Sequence, residues 1–298
     1  PTRIVHLWSF GSQSLHHNSS EEGFYSLMFL SQALGKHAAD ADILIDIVSS
    51  GLQKVVGNEE LVPEKATVLG ACAVIPEEHK SVRCRNVDLA ADSGGPRELN
   101  ALIEELLNPA ADGPIAFRHG QRWVQTFDPV KLVGPAQSPV REGGVYLITG
   151  GLSGVGLAIA RLLARTPRVK LALLGRTALP DQQQWRVRLE TDHLAVATKD
   201  KIRAALELQQ TGAEVMVVTA DVANPEHVAA AIANVRVRFG GVNGVIHAAG
   251  VPGGGTLQRK TKQVADAVFA PKVSGTSNVY ASVQGPALDF FVCCSSLA

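Results

Sequence analysis

The chain has 298 residues, enough for two ordinary domains, which argues against a single small module. Hydrophobic residues make up 46% of the sequence and charged residues 19%, proportions typical of a globular protein. The formal net charge of zero excludes a general electrostatic attraction to nucleic acid or to an anionic membrane. Any anion must therefore be bound by a local arrangement of residues.

The cysteines indicate a reducing compartment. Cys72, Cys84 and the adjacent pair Cys293 and Cys294 lack the spacing of a zinc site or of a disulfide framework. No signal peptide opens the sequence, and no apolar stretch reaches the roughly 20 residues that span a bilayer. We therefore expect a soluble cytoplasmic protein with no metal site and no membrane partner.

The first half alternates predicted strands and helices, a βαβ rhythm that indicates an α/β fold. The predicted strands are 3–8, 43–48 and 83–89, the helices 24–35 and 99–107, with an apolar segment at 66–75 and a closing hairpin at 115–124. Pro129, Gly134, Pro135 and Pro139 then mark a connection. We place the domain boundary near Ser138, which predicts domains of 1–138 and 139–298.

No glycine fingerprint follows the first strand of this half. Residues 8–13, Trp-Ser-Phe-Gly-Ser-Gln, occupy the place where a phosphate would bind in a nucleotide-binding fold. We interpret the first domain as a structural partner that binds no cofactor; a second nucleotide site is the alternative.

The second half predicts a doubly wound parallel sheet with helices on both faces. The strands are expected at 143–149, 169–174, 214–219, 242–247 and 288–294, and the helices at 156–165, 201–212, 225–239 and around 265–283.

A glycine fingerprint joins the first strand of this half to the following helix. It reads Thr149-Gly150-Gly151-Leu152-Ser153-Gly154-Val155-Gly156. Gly150 permits a tight turn, Gly154 lets the backbone approach a pyrophosphate, and Gly156 permits close helix packing. The helix N-terminus adds free N–H donors and a positive dipole end, so this loop is predicted to bind a dinucleotide.

Two further strand ends complete the predicted nucleotide site. Arg176 stands where an NAD-preferring protein has a carboxylate for the ribose 2′-hydroxyl, and an Arg there suits a 2′-phosphate. We therefore predict NADPH as the cofactor. Asp221 and Val222 would flank the adenine; Asp221 is equally well interpreted as a helix N-cap.

The remaining candidates are weak when taken singly. The fourth strand ends in His247-Ala248-Ala249-Gly250, small residues that let the backbone lie beside a cofactor. His247 itself is more often a structural residue than a base. A lone Lys such as Lys272 is usually a solvated charge, and a Ser pair such as Ser295-Ser296 is usually a strand end.

In combination these motifs resemble a short-chain dehydrogenase/reductase, and in particular the ketoreductase domains of modular polyketide synthases. The segment Ala270-Pro271-Lys272-Val273-Ser274-Gly275 and the first-half segment Val82-Arg83-Cys84-Arg85-Asn86-Val87-Asp88-Leu89 carry the more specific likeness. The resemblance covers nearly the whole chain. It implies two Rossmann-like domains, with Lys272 and Ser296 as the catalytic Lys and Ser of the second.

The resemblance also implies the reaction and the partners. NADPH would reduce the β-carbonyl of an acyl chain held as a thioester on an acyl carrier protein, among neighbouring polyketide synthase domains. The family pattern continues with a Tyr and an Asn after the Ser, whereas Tyr25, Tyr146 and Tyr280 all precede Ser296. We therefore expect the complete domain to be the active reductase and these 298 residues alone to be inactive.

Two alternatives remain open at the sequence level. One is a catalytically silent domain that holds neighbouring synthase domains in place, and the other is a free-standing short-chain carbonyl reductase. One family marker also bears on the product. Pro252-Gly253-Gly254 stands where ketoreductases of the B type carry Leu-Asp-Asp, so an L-configured β-hydroxy product is predicted.

Overall fold

The computed structural model describes residues 2–11, 20–38, 41–90, 95–108, 113–131, 138–190 and 194–296. Its residue contacts divide the chain into two compact units. The first comprises Pro1–Lys131 and Gly254–Lys262, and the second Leu132–Gly253 and Gln263–Ala298. The boundary near Ser138 stays a prediction, since residues 132–137 of the predicted connection lie outside the described residues. The sequence did not indicate that a short segment following residue 253 belongs with the first unit.

The first unit contains a five-stranded sheet with the order β1-β2-β3-β4-β5. Its strands are β1 (Arg3–Ser9), β2 (Ile43–Ser50), β3 (Val82–Leu89), β4 (Ile115–Arg118) and β5 (Gln121–Val124), and its helices are α1 (Ser26–His37), α2 (Thr67–Glu78) and α3 (Pro96–Leu107). The first four strands are parallel, and β5 pairs antiparallel with β4. His119 and Gly120 both have positive φ, the geometry of a two-residue hairpin turn. The predicted alternation and the closing hairpin are both present.

A buried lysine lies at the carboxyl ends of β1 and β2. Lys65 donates from Nζ to the carbonyl oxygens of Gly11, at 2.8 Å, and Ser50, at 3.2 Å. Burial lowers the pKa of this ammonium. The interpretation that this unit binds no nucleotide stays a prediction. Ser12 and Gln13 of the loop after β1 lie outside the described residues.

Charged residues on β3 belong to a buried ionic network. Arg85 contacts Asp46 on β2 and Glu105 on α3, and all three side chains are almost completely buried. Asp88 accepts a hydrogen bond from Arg118 at 2.6 Å. Removing one partner of a buried ion pair costs about 3–5 kcal/mol, because the other charge is left unpaired. The charged residues of β3 are therefore tolerated inside the sheet because each one is paired.

The second unit contains a five-stranded parallel sheet with the order β10-β9-β6-β7-β8. Its strands are β6 (Val145–Thr149), β7 (Lys170–Gly175), β8 (Glu214–Thr219), β9 (Gly244–His247) and β10 (Phe290–Cys293). Its helices are α4 (Gly154–Leu163), α5 (Trp185–Glu190), α6 (Val196–Gln210), α7 (Pro225–Phe239), α8 (Lys262–Lys272) and α9 (Ser274–Val283). This is the predicted doubly wound arrangement, in which the chain reverses direction across the sheet beside β6.

Strands β6, β7 and β9, in the middle of this sheet, are buried on both faces, whereas β10 at its edge is partly exposed. In β6, Leu147 packs in the cluster that includes α7, while Tyr146 and Ile148 pack in the cluster that includes α4. A fully buried Leu or Ile stabilises the fold by about 1.5–3 kcal/mol. Among the described residues, no helix is long and apolar enough to cross a membrane.

Two local features differ from the sequence-based predictions. Helix α5 was not predicted; its Trp185 is buried against Ile202 and Ala205 of α6, so tertiary packing forms it. The N-cap of α7 is Asn224, whose side chain accepts from the amides of residues 226 and 227. The interpretation of Asp221 as a helix N-cap is therefore wrong.

Candidate active site

A cavity of about 670 Å³ opens at the carboxyl ends of β6, β7, β8 and β9 in the second unit. In the sheet order β6 lies between β7 and β9, so the cavity extends across the place where the strand order reverses. In open α/β sheets this reversal is where ligands bind. The described residues that line it include predicted ones, namely Gly150, Ser153, Gly154, Val155, Arg176, Asp221, Val222, Ala248, Ala249 and Gly250.

The glycines of the loop after β6 have distinct roles. Gly150 has φ +69°, and a Cβ there would lie 3.0 Å from the carbonyl oxygen of Ala248. A Cβ on Gly156 would lie 2.5 Å from the carbonyl oxygen of Gly150, and one on Gly151 would lie 2.9 Å from the Leu173 side chain. Side chains at these three positions would displace backbone or core atoms, so the loop can lie this close to β9 and α4 only with glycine.

The N-terminus of α4 faces the cavity with free donors. Gly154 has φ +49° and no atom within 4 Å of its Cβ position, so open space lies beside the first turn. The Ser153 side chain makes no capping hydrogen bond to this helix. The first amides of α4 are therefore available to an anion, and the helix dipole favours a negative charge there. This arrangement fits the pyrophosphate of a dinucleotide.

Two cations line the side of the cavity next to β7. Arg176 follows β7, is exposed, and has no hydrogen bond or ion pair within the described part of the chain. Lys201 on α6 donates from Nζ to Thr177 Oγ1 at 2.6 Å. Lys201 and Thr177 also line the cavity. Lys201 has no motif around it and was not predicted, because only the fold brings α6 beside the end of β7.

Asp221 and Val222 line the cavity beyond β8. The Asp221 carboxylate accepts a hydrogen bond from the Ala223 amide at 3.0 Å. Val222 is buried against Gly275 of α9, and Asn278 donates to its carbonyl oxygen at 3.0 Å. Both residues are thus held in place at the edge of the cavity.

Thr149 and His247 lie behind the cavity wall rather than in it. Thr149 is completely buried and His247 is 3% exposed. Thr149 Oγ1 lies 2.8 Å from His247 Nδ1, and His247 Nε2 lies 2.8 Å from the carbonyl oxygen of Pro271. Burial lowers the pKa of His247 and outweighs the hydrogen bond to Pro271, which raises it; the positive charge of Lys272 also lowers it. The environment thus favours a neutral imidazole and a structural rather than a basic role.

Lys272 and Ser296 are not among the described residues that line the cavity; Lys272 lies beside the chain that leads from β10 to Ser296. Lys272 ends α8, directly after Pro271, which lines the cavity. Its Nζ lies 3.4 Å from the carbonyl oxygen of Cys294, two residues before Ser296. Its Cε lies 3.3 Å from the Cβ position of Gly250. The fold therefore brings Lys272 close to the end of β10 and to the glycine that ends the small-residue run.

A model of the protein family described as the KR domain matches residues 144–298. The chain belongs to this ketoreductase family. The match begins just before β6 and includes every residue of the candidate active site.

Curated relatives of this KR domain are polyketide synthases. The chain is 31% identical over 274 residues to one of the subunits of the phenolphthiocerol/phthiocerol polyketide synthase of Mycobacterium tuberculosis, covering 90% of this chain and 14% of that protein. It is 28% identical over 257 residues to the polyketide synthase PksL of Bacillus subtilis, covering 84% of this chain and 6% of that protein. The chain therefore spans a small part of these relatives.

The fold also matches solved ketoreductases. A ketoreductase domain from the bacillaene assembly line is 25% identical, with a TM-score of 0.75 over 96% of this chain and 63% of that one. The resemblance to polyketide synthase ketoreductases and the Rossmann-type fold are thus confirmed. Domains of this family are oxidoreductases that bind a nicotinamide cofactor.

Proposed function

We propose that this KR domain uses NADPH to reduce a β-ketoacyl thioester, carried on an acyl carrier protein, to the β-hydroxyacyl thioester. The observation that carries the proposal is the set of residues around one cavity. The cavity extends from Arg176 and Lys201 beside the end of β7, past the uncapped N-terminus of α4, to Gly250 and Pro271. Lys272 directly follows Pro271. This arrangement offers partners for the 2′-phosphate, the pyrophosphate and the nicotinamide ribose of one extended cofactor.

The choice of NADPH over NADH rests on charge. A 2′-phosphate carries negative charge and acceptor oxygens that Arg176 and Lys201 can pair with, whereas a 2′-hydroxyl requires an acceptor. Among the described residues that line the cavity, the one carboxylate is that of Asp221, which follows β8 rather than β7. The bound cofactor supplies a hydride to the β-carbon.

The chain's own residues then act on the carbonyl oxygen, where negative charge develops. We assign to the Ser296 hydroxyl a hydrogen bond to that oxygen. We assign two roles to Lys272: it binds the nicotinamide ribose, and its positive charge lowers the pKa of the proton donor. In the family pattern the donor is a Tyr after the Ser, and none of Tyr25, Tyr146 and Tyr280 follows Ser296.

We further propose that the chain works within a longer polyketide synthase, where neighbouring domains and an acyl carrier protein supply its substrate. The small share of each curated relative that the chain spans supports this proposal. It favours a synthase domain over a free-standing carbonyl reductase. The cytoplasm remains the predicted location.

The test is reduction of a β-ketoacyl pantetheine thioester by the domain expressed with the residues that follow it in its parent protein. We expect NADPH oxidation together with formation of the β-hydroxy thioester, and none with a matched acyl thioester that lacks the β-carbonyl. NADPH binding without any turnover would instead identify a catalytically silent structural domain.

A further inference from the structure

The imidazole of His247 is a buried polar group near the cavity, and both of its ring nitrogens have partners. Its two ring nitrogens have partners on different elements: Nδ1 lies 2.8 Å from Thr149 Oγ1 at the end of β6, and Nε2 lies 2.8 Å from the Pro271 carbonyl oxygen on α8. The cavity-lining residues of the described chain do not include His247. Its influence on a ligand must therefore pass through a neighbour.

The partners of Thr149 determine which nitrogen of His247 carries the hydrogen. Thr149 Oγ1 accepts from the amide of Ala249, at 3.0 Å, and from that of Ala248, at 3.1 Å, which also donates to the Thr149 carbonyl oxygen at 3.2 Å. A hydroxyl has two lone pairs and one hydrogen, so with both lone pairs in use its hydrogen points to Nδ1. Nδ1 is then an acceptor. The ring hydrogen lies on Nε2 and is donated to the Pro271 carbonyl, which can only accept.

Two independent constraints thus select the same neutral tautomer. The ring is also neutral: burial lowers its pKa and outweighs the Pro271 hydrogen bond, which raises it, and the charge of Lys272 lowers it as well. A doubly protonated ring would point a second donor at the Thr149 hydroxyl, whose lone pairs are already occupied. The network therefore operates with a neutral His247.

The Pro271 carbonyl lies one residue before Lys272, at the end of α8. The last carbonyls of a helix lack partners within it and must find them elsewhere. Pro271 receives its hydrogen bond from His247, and the Lys272 carbonyl receives one from Thr276 Oγ1 at 2.6 Å. These two bonds fix the peptide from which the Lys272 side chain extends over Gly250.

We propose that His247 is a positioning residue for Lys272: its Nε2–H holds the Pro271 carbonyl, and so directs the Lys272 ammonium toward the nicotinamide end of the cavity. The inference rests on the proposed function, which assigns the cofactor to this cavity. It adds a role for the fourth-strand histidine beyond the structural one that the sequence favours.

Two substitutions separate the two hydrogen bonds of the ring. In His247→Gln the longer side chain can place its amide nitrogen near the former Nε2 and still donate to Pro271. In His247→Asn the shorter side chain can accept from Thr149 but cannot reach Pro271. The pair has similar polarity, so a difference between them reports the Pro271 bond rather than the loss of an imidazole.

The first measurement needs no ligand. Hydrogen exchange of the Val273 amide, which donates to the Phe269 carbonyl at 2.7 Å, monitors the end of α8. We expect His247→Asn to accelerate this exchange at least about tenfold and His247→Gln to stay near wild type, since a tenfold change corresponds to about 1.4 kcal/mol of local stability. Unchanged exchange in His247→Asn, or equal acceleration in both variants, would overturn the proposal. So would a nitrogen spectrum of the wild-type ring with the hydrogen on Nδ1.

The second measurement is NADPH affinity by fluorescence titration. We expect His247→Asn to raise the Kd about tenfold, Lys272→Met to raise it similarly, and the double variant to be no weaker than Lys272→Met alone. If His247→Asn has a normal NADPH Kd while Lys272→Met has a raised one, the positioning role of His247 is overturned but the proposed cofactor site is not. No NADPH binding by wild type contradicts the proposed function, and the exchange measurement still decides whether His247 holds this peptide.

Discussion

A Cβ atom on Gly156 would lie 2.5 Å from the carbonyl oxygen of Gly150, closer than non-bonded atoms can approach. Gly156→Ala must therefore shift the loop after β6, at a cost of about 1–3 kcal/mol. We expect a melting temperature lowered by several degrees and an NADPH Kd raised at least about tenfold. Gly241→Ala is the matched control, because its Cβ would meet no atom within 4 Å. Equal behaviour of the two variants would contradict the assigned loop geometry.

The loop was predictable because its signals are local. A strand, three glycines at fixed spacing and a helix are contiguous in the sequence, and each constraint acts within a few residues. The bounds of α7, predicted as 225–239, were correct for the same reason, with Pro225 at its start and Gly240 with φ +86° after its end, although its cap is Asn224 rather than Asp221.

The features that were missed depend on tertiary contacts. Lys201 reaches the cavity only because α6 packs beside the end of β7, and its sequence neighbours resemble those of any exposed helix. Helix α5 forms around Trp185, which is buried on α6 and donates to the Pro180 carbonyl at 2.9 Å. The network of Thr149, His247 and Pro271 joins three elements that are distant in the sequence.

The catalytic assignments predict large losses in rate. The protein for this test is the domain expressed with the residues that follow it in its parent protein. Lys272→Ala and Ser296→Ala should each lower its rate of β-ketoacyl thioester reduction by about two to four orders of magnitude, because each removes a group acting at the reacting centre. Ser295→Ala, one residue away, is expected to retain most of the rate. Circular dichroism checks that the variants are folded. Near wild-type turnover by either variant would return that residue to an ordinary surface role.

The product is predicted to be the L-configured alcohol. Pro252-Gly253-Gly254 replaces the Leu-Asp-Asp of B-type ketoreductases, so the carboxylates associated with that type are absent from the segment after Val251. Chiral chromatography of the β-hydroxy thioester measures the outcome. A predominantly D-configured product would show that this segment does not control the direction of substrate entry.

The first unit should lose stability in acid through Glu59. Its carboxylate accepts from the amides of Val56, Val55 and Gly57 at 2.7–2.8 Å, and chiefly the bond from Val56 lowers its pKa from 4.5 to about 2. A carboxylate whose pKa is lower in the folded than in the unfolded state stabilises the fold when the pH is above its unfolded-state pKa. This stabilisation is lost as the pH falls toward the folded-state pKa.

The stability difference between wild type and Glu59→Gln should therefore be full above about pH 4.5 and shrink as the pH falls toward about 2. Urea unfolding at a series of pH values measures it, with Glu60→Gln as the neighbouring control. A difference that stays constant over this range would mean that the backbone amides do not hold the Glu59 carboxylate.

The central claim, an NADPH site built on Arg176, is tested most directly by titrating NADPH and NADH into the protein by calorimetry. The pairing of Arg176 with a 2′-phosphate predicts that NADPH binds at least about tenfold more tightly, since a hydrogen bond to a charged group contributes about 1.5–3 kcal/mol. Arg176→Ala should abolish this preference without changing NADH affinity, and Lys201→Ala should reduce it. Arg203→Ala, whose guanidinium pairs with Asp200 on the same helix as Lys201, should preserve it. Equal affinities of wild type for the two cofactors, or an Arg176→Ala variant that binds NADPH normally, would contradict the account.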